Sequence, residues 1–68
     1  MADIPKAPLR RIFKEAGAER VSDEAIIILQ DFLINEAEVI AKNSVQLSKF
    51  NNRKTVQPKD IDAVLSLD

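Results

Sequence analysis

The sequence predicts an all-α chain of three helices, short, long and short, that completes its core only by pairing with a second copy. Three observations predict it. Apolar residues recur at helical spacing in three stretches. The single glycine and all three prolines lie outside the longest of these stretches. The chain has 68 residues, no cysteine and no histidine, so neither a disulfide nor a zinc site can staple a domain that buries only about 60% of its unfolded surface.

The first helix is short, about ten residues at 1.5 Å rise each. Pro8 suits its first turn, Leu9, Ile12, Phe13 and Ala16 recur on one side, and Gly17 closes it. Ser22 can cap the second helix, with Asp23 and Glu24 opposing the positive end of its dipole. Ala25 stands where a capping box would place Glu. Neither Gly nor Pro follows until Pro58, so this helix runs from Asp23 to Phe50, roughly 42 Å.

Ile26, Leu29, Leu33, Ala37, Ile40 and Leu47 form one stripe along the long helix, and Ile28, Phe32, Val39 and Phe50 widen it. A third helix starts at Pro58, carries Ile61, Val64 and Leu65, and places Asp60 and Asp62 in its early turns. Loops at 17–22 and 51–57 join the three. Two short helices cannot cover so wide an apolar surface on a rod of this length, so residues 1–68 form one domain that pairs as an obligate homodimer.

The net charge of −1 hides a sorted pattern. Residues 1–20 carry five Lys/Arg against three Asp/Glu, 21–48 carry one against five, 49–59 carry four against none, and 60–68 carry none against three. Positive charge therefore sits at the two ends of the long helix. Within one chain these ends are too far apart to act on one ligand. An antiparallel pair brings the Arg20 loop of one protomer beside the Lys54 loop of the other, creating two equivalent basic patches, and the extended, β-branched Val21 and Val56 would bridge them.

The runs Pro5-Lys6-Ala7-Pro8, Ala16-Gly17-Ala18-Glu19-Arg20-Val21-Ser22-Asp23 and Asn52-Arg53-Lys54-Thr55-Val56-Gln57-Pro58-Lys59-Asp60-Ile61 closely resemble those of the archaeal histones, minimal histone-fold proteins without tails. The resemblance extends over essentially the whole chain. It implies a handshake homodimer that bends and wraps double-stranded DNA and joins into tetramers or a longer superhelix. By position, Arg20 would enter the minor groove, steadied by Thr55 of the partner, while Lys54, Arg11 and Lys14 would hold phosphate. Arg53 and Asp60 would form a structural pair, and Gly17 would permit close stacking of superhelix turns.

Each assignment competes with a plainer reading. Arg20 and Lys54 are ordinary loop cations by composition, Thr55 serves equally as a turn residue, and Gly17 is equally a helix stop. Arg10, Arg11 and Lys14 read as the wet face of an amphipathic helix, and the resemblance selects Arg11 over Arg10. Phe50 departs from the family, which joins dimers through a polar contact usually involving His. Its ring either folds back onto Leu47 and the third helix or joins Leu47 and Ala63 in a contact between dimers.

Asp31, Glu36 and Glu38 lack the histidine, metal motif or pocket-forming sheet that would make paired acids catalytic. No enzyme activity, cofactor or metal is expected. The absence of a basic-then-apolar leader and of any run of 18 apolar residues suggests a soluble, intracellular protein, and the resemblance implies one that is cytoplasmic and chromosome-associated. The leading function is DNA compaction with little sequence preference. The competing one is a histone-fold dimerisation module that recruits a protein or a paralogous histone and binds DNA weakly, which suits the net charge.

Overall fold

The computed structural model describes residues 4–66. Three helices follow one another: α1 (Lys6–Glu15), α2 (Asp23–Phe50) and α3 (Pro58–Leu65). No strand occurs among the described residues. The chain divides into two compact units, Met1–Asn35 and Glu36–Asp68, each a helix–loop–helix built on one part of α2.

In the first unit α1 begins at Lys6, so Pro8 is its third residue. The amide that proline lacks there would have had no intrahelical partner, which makes the position harmless. The helix ends in a double hydrogen bond: Ala18 N–H donates to the Phe13 carbonyl at 2.9 Å and Gly17 N–H to the Lys14 carbonyl at 3.0 Å. This Schellman closure requires a left-handed residue, and Gly17 takes φ +111°. Ser22 then caps α2 as its side chain allows, its Oγ accepting from the Ala25 amide at 3.1 Å.

Of the apolar positions of α1, Leu9 is buried and Phe13 half-buried, whereas Ile12 and Ala16 remain exposed. On α2, Ile26 is fully enclosed and Leu29, Leu33 and Ile34 are half-covered. The Gln30 amide donates to the Ile4 carbonyl at 2.5 Å, tying the segment before α1 to α2.

The second unit repeats the closure with a different residue. Arg53 N–H donates to the Ser48 carbonyl and Asn52 N–H to the Lys49 carbonyl, each at 2.9 Å. Asn52 supplies the left-handed conformation at φ 58°. Asparagine tolerates that region better than other side chains because it bonds locally. Pro58 is the first residue of α3, where its missing amide and fixed φ suit the helix start.

Leu9 and Ile26 are the buried hydrophobic residues among those described, while ten large ones stay exposed. In the second unit Ala37, Ile40, Ala41, Ser44, Val45, Val56 and Ile61 line an open recess of about 400 Å³. Apolar surface on this scale in so small a chain is the signature of an interaction surface.

Candidate nucleic-acid interface

Both loops that flank α2 are braced in the same way: an arginine ties the loop backbone to an acid at the start of the next helix. In the first unit the Arg10 guanidinium donates to the Val21 carbonyl at 3.2 Å and pairs with Asp23. In the second, Arg53 donates to the Thr55 carbonyl at 3.3 Å and forks onto Asp60, Nη1 to Oδ2 at 2.8 Å and Nη2 to Oδ1 at 2.6 Å. Each arginine is consumed by its brace. The family resemblance implies the pairing of Arg53 with Asp60, whereas Arg10 reads in the sequence as solvated surface.

Asp60 is 1% exposed and fully occupied. Besides both Arg53 nitrogens it accepts the Gln57 amide at 2.8 Å. The Arg53 hydrogen bonds and then the Gln57 amide pull its carboxyl from 3.8 down to about 2, against the opposing effect of burial. The same hydrogen bonds raise Arg53 above its ordinary value. Asp60 thus stays a carboxylate throughout the physiological range and fixes the first turn of α3.

Ser48 is a further anchor that composition gives no reason to single out. Its buried hydroxyl lies 3.0 Å from the Arg53 carbonyl and 3.2 Å from that of Thr55, sharing one proton between them. A serine within an apolar stripe reads as a tolerated small residue. Here it holds the loop against the end of α2. The carbonyl of Thr55 is therefore gripped from two sides while its side chain is exposed.

Among the described residues the ion pairs are those of Arg10 and Arg53, so Arg11, Lys14, Arg20 and Lys54, all exposed, carry uncompensated charge. Arg20 and Lys54 lie in the two braced loops, and Arg11 and Lys14 on α1. Gly17 is exposed, and a Cβ placed there would meet nothing within 4 Å.

Phe50 keeps 84% of its surface exposed, so the ring is not folded away under α3. It stands at the rim of an open recess of about 490 Å³ lined by Asn43, Gln46, Leu47, Ala63 and Val64 as well. Leu47 is half-buried and Ala63 exposed.

Residues 2–65 match the family of histone-like transcription factors (CBF/NF-Y) and archaeal histones. The chain is 46% identical over 65 residues to the probable archaeal histone 3 of Methanocaldococcus jannaschii, covering 96% of this chain and 97% of that protein. The chain belongs to the archaeal histone family. It is also 38% identical over 61 residues to one of the subunits of the archaeal histone HAN1 of Thermococcus zilligii, covering 90% of this chain and 91% of that protein.

The three helices are accordingly a histone fold. Archaeal histones are structural DNA-binding proteins of chromatin and not enzymes, and this chain shares that class. No helix among the described residues is long and apolar enough to cross a membrane.

Proposed function

We propose that this archaeal histone works as a homodimer that bends, wraps and compacts double-stranded DNA on the cytoplasmic chromosome, largely without sequence preference. The observation that carries the reading is the separation of its arginines and lysines into two kinds. Arg10 and Arg53 are spent on bracing loops, which leaves Arg20 and Lys54 as exposed charges on those braced loops. Backbone binding needs spaced cations at phosphate positions and no base-reading code.

Head-to-tail pairing of two α2 helices sets the Arg20 loop of one protomer beside the Lys54 loop of the other. The exposed Val45, Val56 and Ile61 and the open recess they help to line support such pairing, since a second copy would cover them. Arg20 then enters the minor groove with Thr55 of the partner beside it, as arginines of histone octamers do where that groove faces inward. Lys54, Arg11 and Lys14 hold phosphates. The bare backbone at Gly17 allows neighbouring superhelical turns to approach, and Leu47, Phe50 and Ala63 join one dimer to the next.

A shift titration on double-stranded DNA tests this, comparing wild type with the Arg20→Ala/Lys54→Ala double variant at low and moderate salt. The expected result is tight, salt-sensitive binding by wild type and a large loss in the variant. Equal, poor binding by both at low salt would sink the DNA reading. It would leave the second one, a pairing module that recruits another histone, which is favoured by the naming of the Thermococcus zilligii relative as one subunit of a histone.

A further inference from the structure

We propose that two reciprocal hydrogen bonds between chains, from the Ser44 hydroxyl of each copy to the Gln30 amide oxygen of the other, set the register of the pair and select which histone chain this one accepts. The inference rests on the homodimer reading and adds to it a polar contact that decides which partners fit.

Ser44 keeps only 1% of its surface exposed, and its Oγ is a buried oxygen that no described residue satisfies. The hydroxyl does not turn back onto a carbonyl of its own helix, the usual refuge of a serine there. It helps to line the open recess whose other walls are apolar, among them Ala37 and Ile40. Roughly nine in ten buried polar groups have a partner. Here the partner must come from whatever closes the recess.

Gln30 offers the matching acceptor. Its amide nitrogen is already spent on the Ile4 carbonyl at 2.5 Å, and among the described residues no hydrogen bond ends on its Oε1, which has lone pairs to accept with. Gln30, Ala37 and Ser44 follow one another at intervals of seven residues, so they share one face of α2, with Leu33 and Ile40 as the apolar filling of the seam between them. The helix runs from Asp23 to Phe50, which puts its middle beside Ala37, and that small side chain suits the closest approach of two rods. In an antiparallel pair crossing there, positions equally far on either side of Ala37 face one another. Gln30 of one copy then meets Ser44 of the other, twice over. A polar residue in an apolar helical seam fixes register because other alignments leave it buried without a partner. A histone chain therefore fits when it presents an acceptor opposite Ser44 and a donor opposite Gln30.

Mixing two variants tests this without touching the residues assigned to DNA. Ser44→Ala and Gln30→Met are refolded together in equal amounts and the dimers weighed by native mass spectrometry, with circular dichroism as the check on folding. A dimer of either variant alone orphans two amide oxygens or two hydroxyls. The mixed dimer keeps one bond intact and has neither partner at the other site. An orphaned buried group costs a factor of roughly ten in an equilibrium constant, so mixed dimers should make up about three-quarters of the total or more, above the half that random pairing gives. Within one helix the two positions lie about 21 Å apart, so a preference for mixing has no source inside a single chain. Random pairing overturns the proposal, as it would for a hydroxyl with no role across the pair.

A second readout stands even where Gln30→Met folds poorly through loss of its bond to Ile4. The chain has no cysteine, so a short bismaleimide applied to Gln30→Cys/Ser44→Cys reports which positions meet. Covalent dimers should form in this double variant and in a mixture of the two single variants, but in neither single variant alone. No cross-linking in the double variant, or equal cross-linking in Gln30→Cys alone, overturns the register. A wild type that sediments as a folded single chain removes the homodimer reading and this contact with it, whereas dimers whose variants mix at random remove this contact alone.

Discussion

Arg53 holds Asp60 with both terminal nitrogens, at 2.8 and 2.6 Å, and so fastens the loop carrying Lys54 to the first turn of α3. The pair gives the fold a defined acid limit. The Asp60 carboxyl titrates at about 2 in the folded chain against an ordinary 3.8. Between those values the unfolded state binds more protons than the folded one, so stability falls as the pH falls. The contribution of the pair is complete above about pH 4 and is lost as pH drops toward 2. Carbon-detected titration should place the Asp60 midpoint near 2 in wild type and return it toward 3.8 in Arg53→Ala. Asp60→Asn should flatten the acid limb of unfolding monitored by circular dichroism. An unmoved Asp60 midpoint in Arg53→Ala would contradict this account of the brace.

The division between bracing and free cations predicts a difference in salt slope. A Lys54 bound to one phosphate in each protomer contributes about 0.9 per contact to the slope of log K against log salt, hence roughly 1.8 for the dimer. Lys54→Ala should lower the slope by that amount with little change in thermal stability. Lys42→Ala, which removes an exposed charge from the acidic stretch of α2, should leave it unchanged. Equal slopes for the two variants, measured by fluorescence anisotropy at several salt concentrations, would remove Lys54 from the phosphate contacts.

The helix ends are legible in the sequence because they obey local rules. Ser22, Gly17 and Pro58 announce their roles through hydroxyl, missing Cβ and missing amide, and each role involves partners within about five residues. Arg10 is opaque because its partners Val21 and Asp23 lie beyond an intervening loop whose path is set by the Gly17 closure. Ser48 is opaque because two loop carbonyls, and not its own helix, give it meaning. Asn52 does leave a trace: asparagine just beyond a long apolar helix is the usual substitute for a terminating glycine. Phe50 is conspicuous in the sequence, but only its exposure decides between a folded-back ring and a projecting one.

The two left-handed closures predict opposite responses to substitution. Gly17 at φ +111° has open space around it, so Gly17→Ala meets no clash and suffers only backbone strain, about 1–2 kcal/mol per chain. Asn52 at φ 58° already bears a side chain, so Asn52→Gly should be close to neutral, while Asn52→Val should destabilise by more than about 1 kcal/mol. Chemical unfolding of the three variants checks the order. A Gly17→Ala variant as stable as wild type would mean that α1 ends differently in solution.

Isoleucines two positions apart on α2 should behave as core and surface. Ile26 is 0% exposed and Ile28 is 71% exposed. Ile26→Ala removes enclosed methyl groups and leaves a cavity, for about 2–5 kcal/mol per chain, whereas Ile28→Ala should stay within about 0.5 kcal/mol. Because so few side chains are enclosed within one chain, the first loss should also loosen the pair. If folding and pairing are one event, the midpoint of thermal unfolding rises with protein concentration, and sedimentation at low salt gives twice the 7.6 kDa chain mass. Ile26→Ala should then show its lowered Tm recovering as concentration is raised, while Ile28→Ala follows the wild-type curve. A wild-type Tm independent of concentration, together with a folded species of one chain mass, would break the link between the open apolar surface of α2 and a second copy.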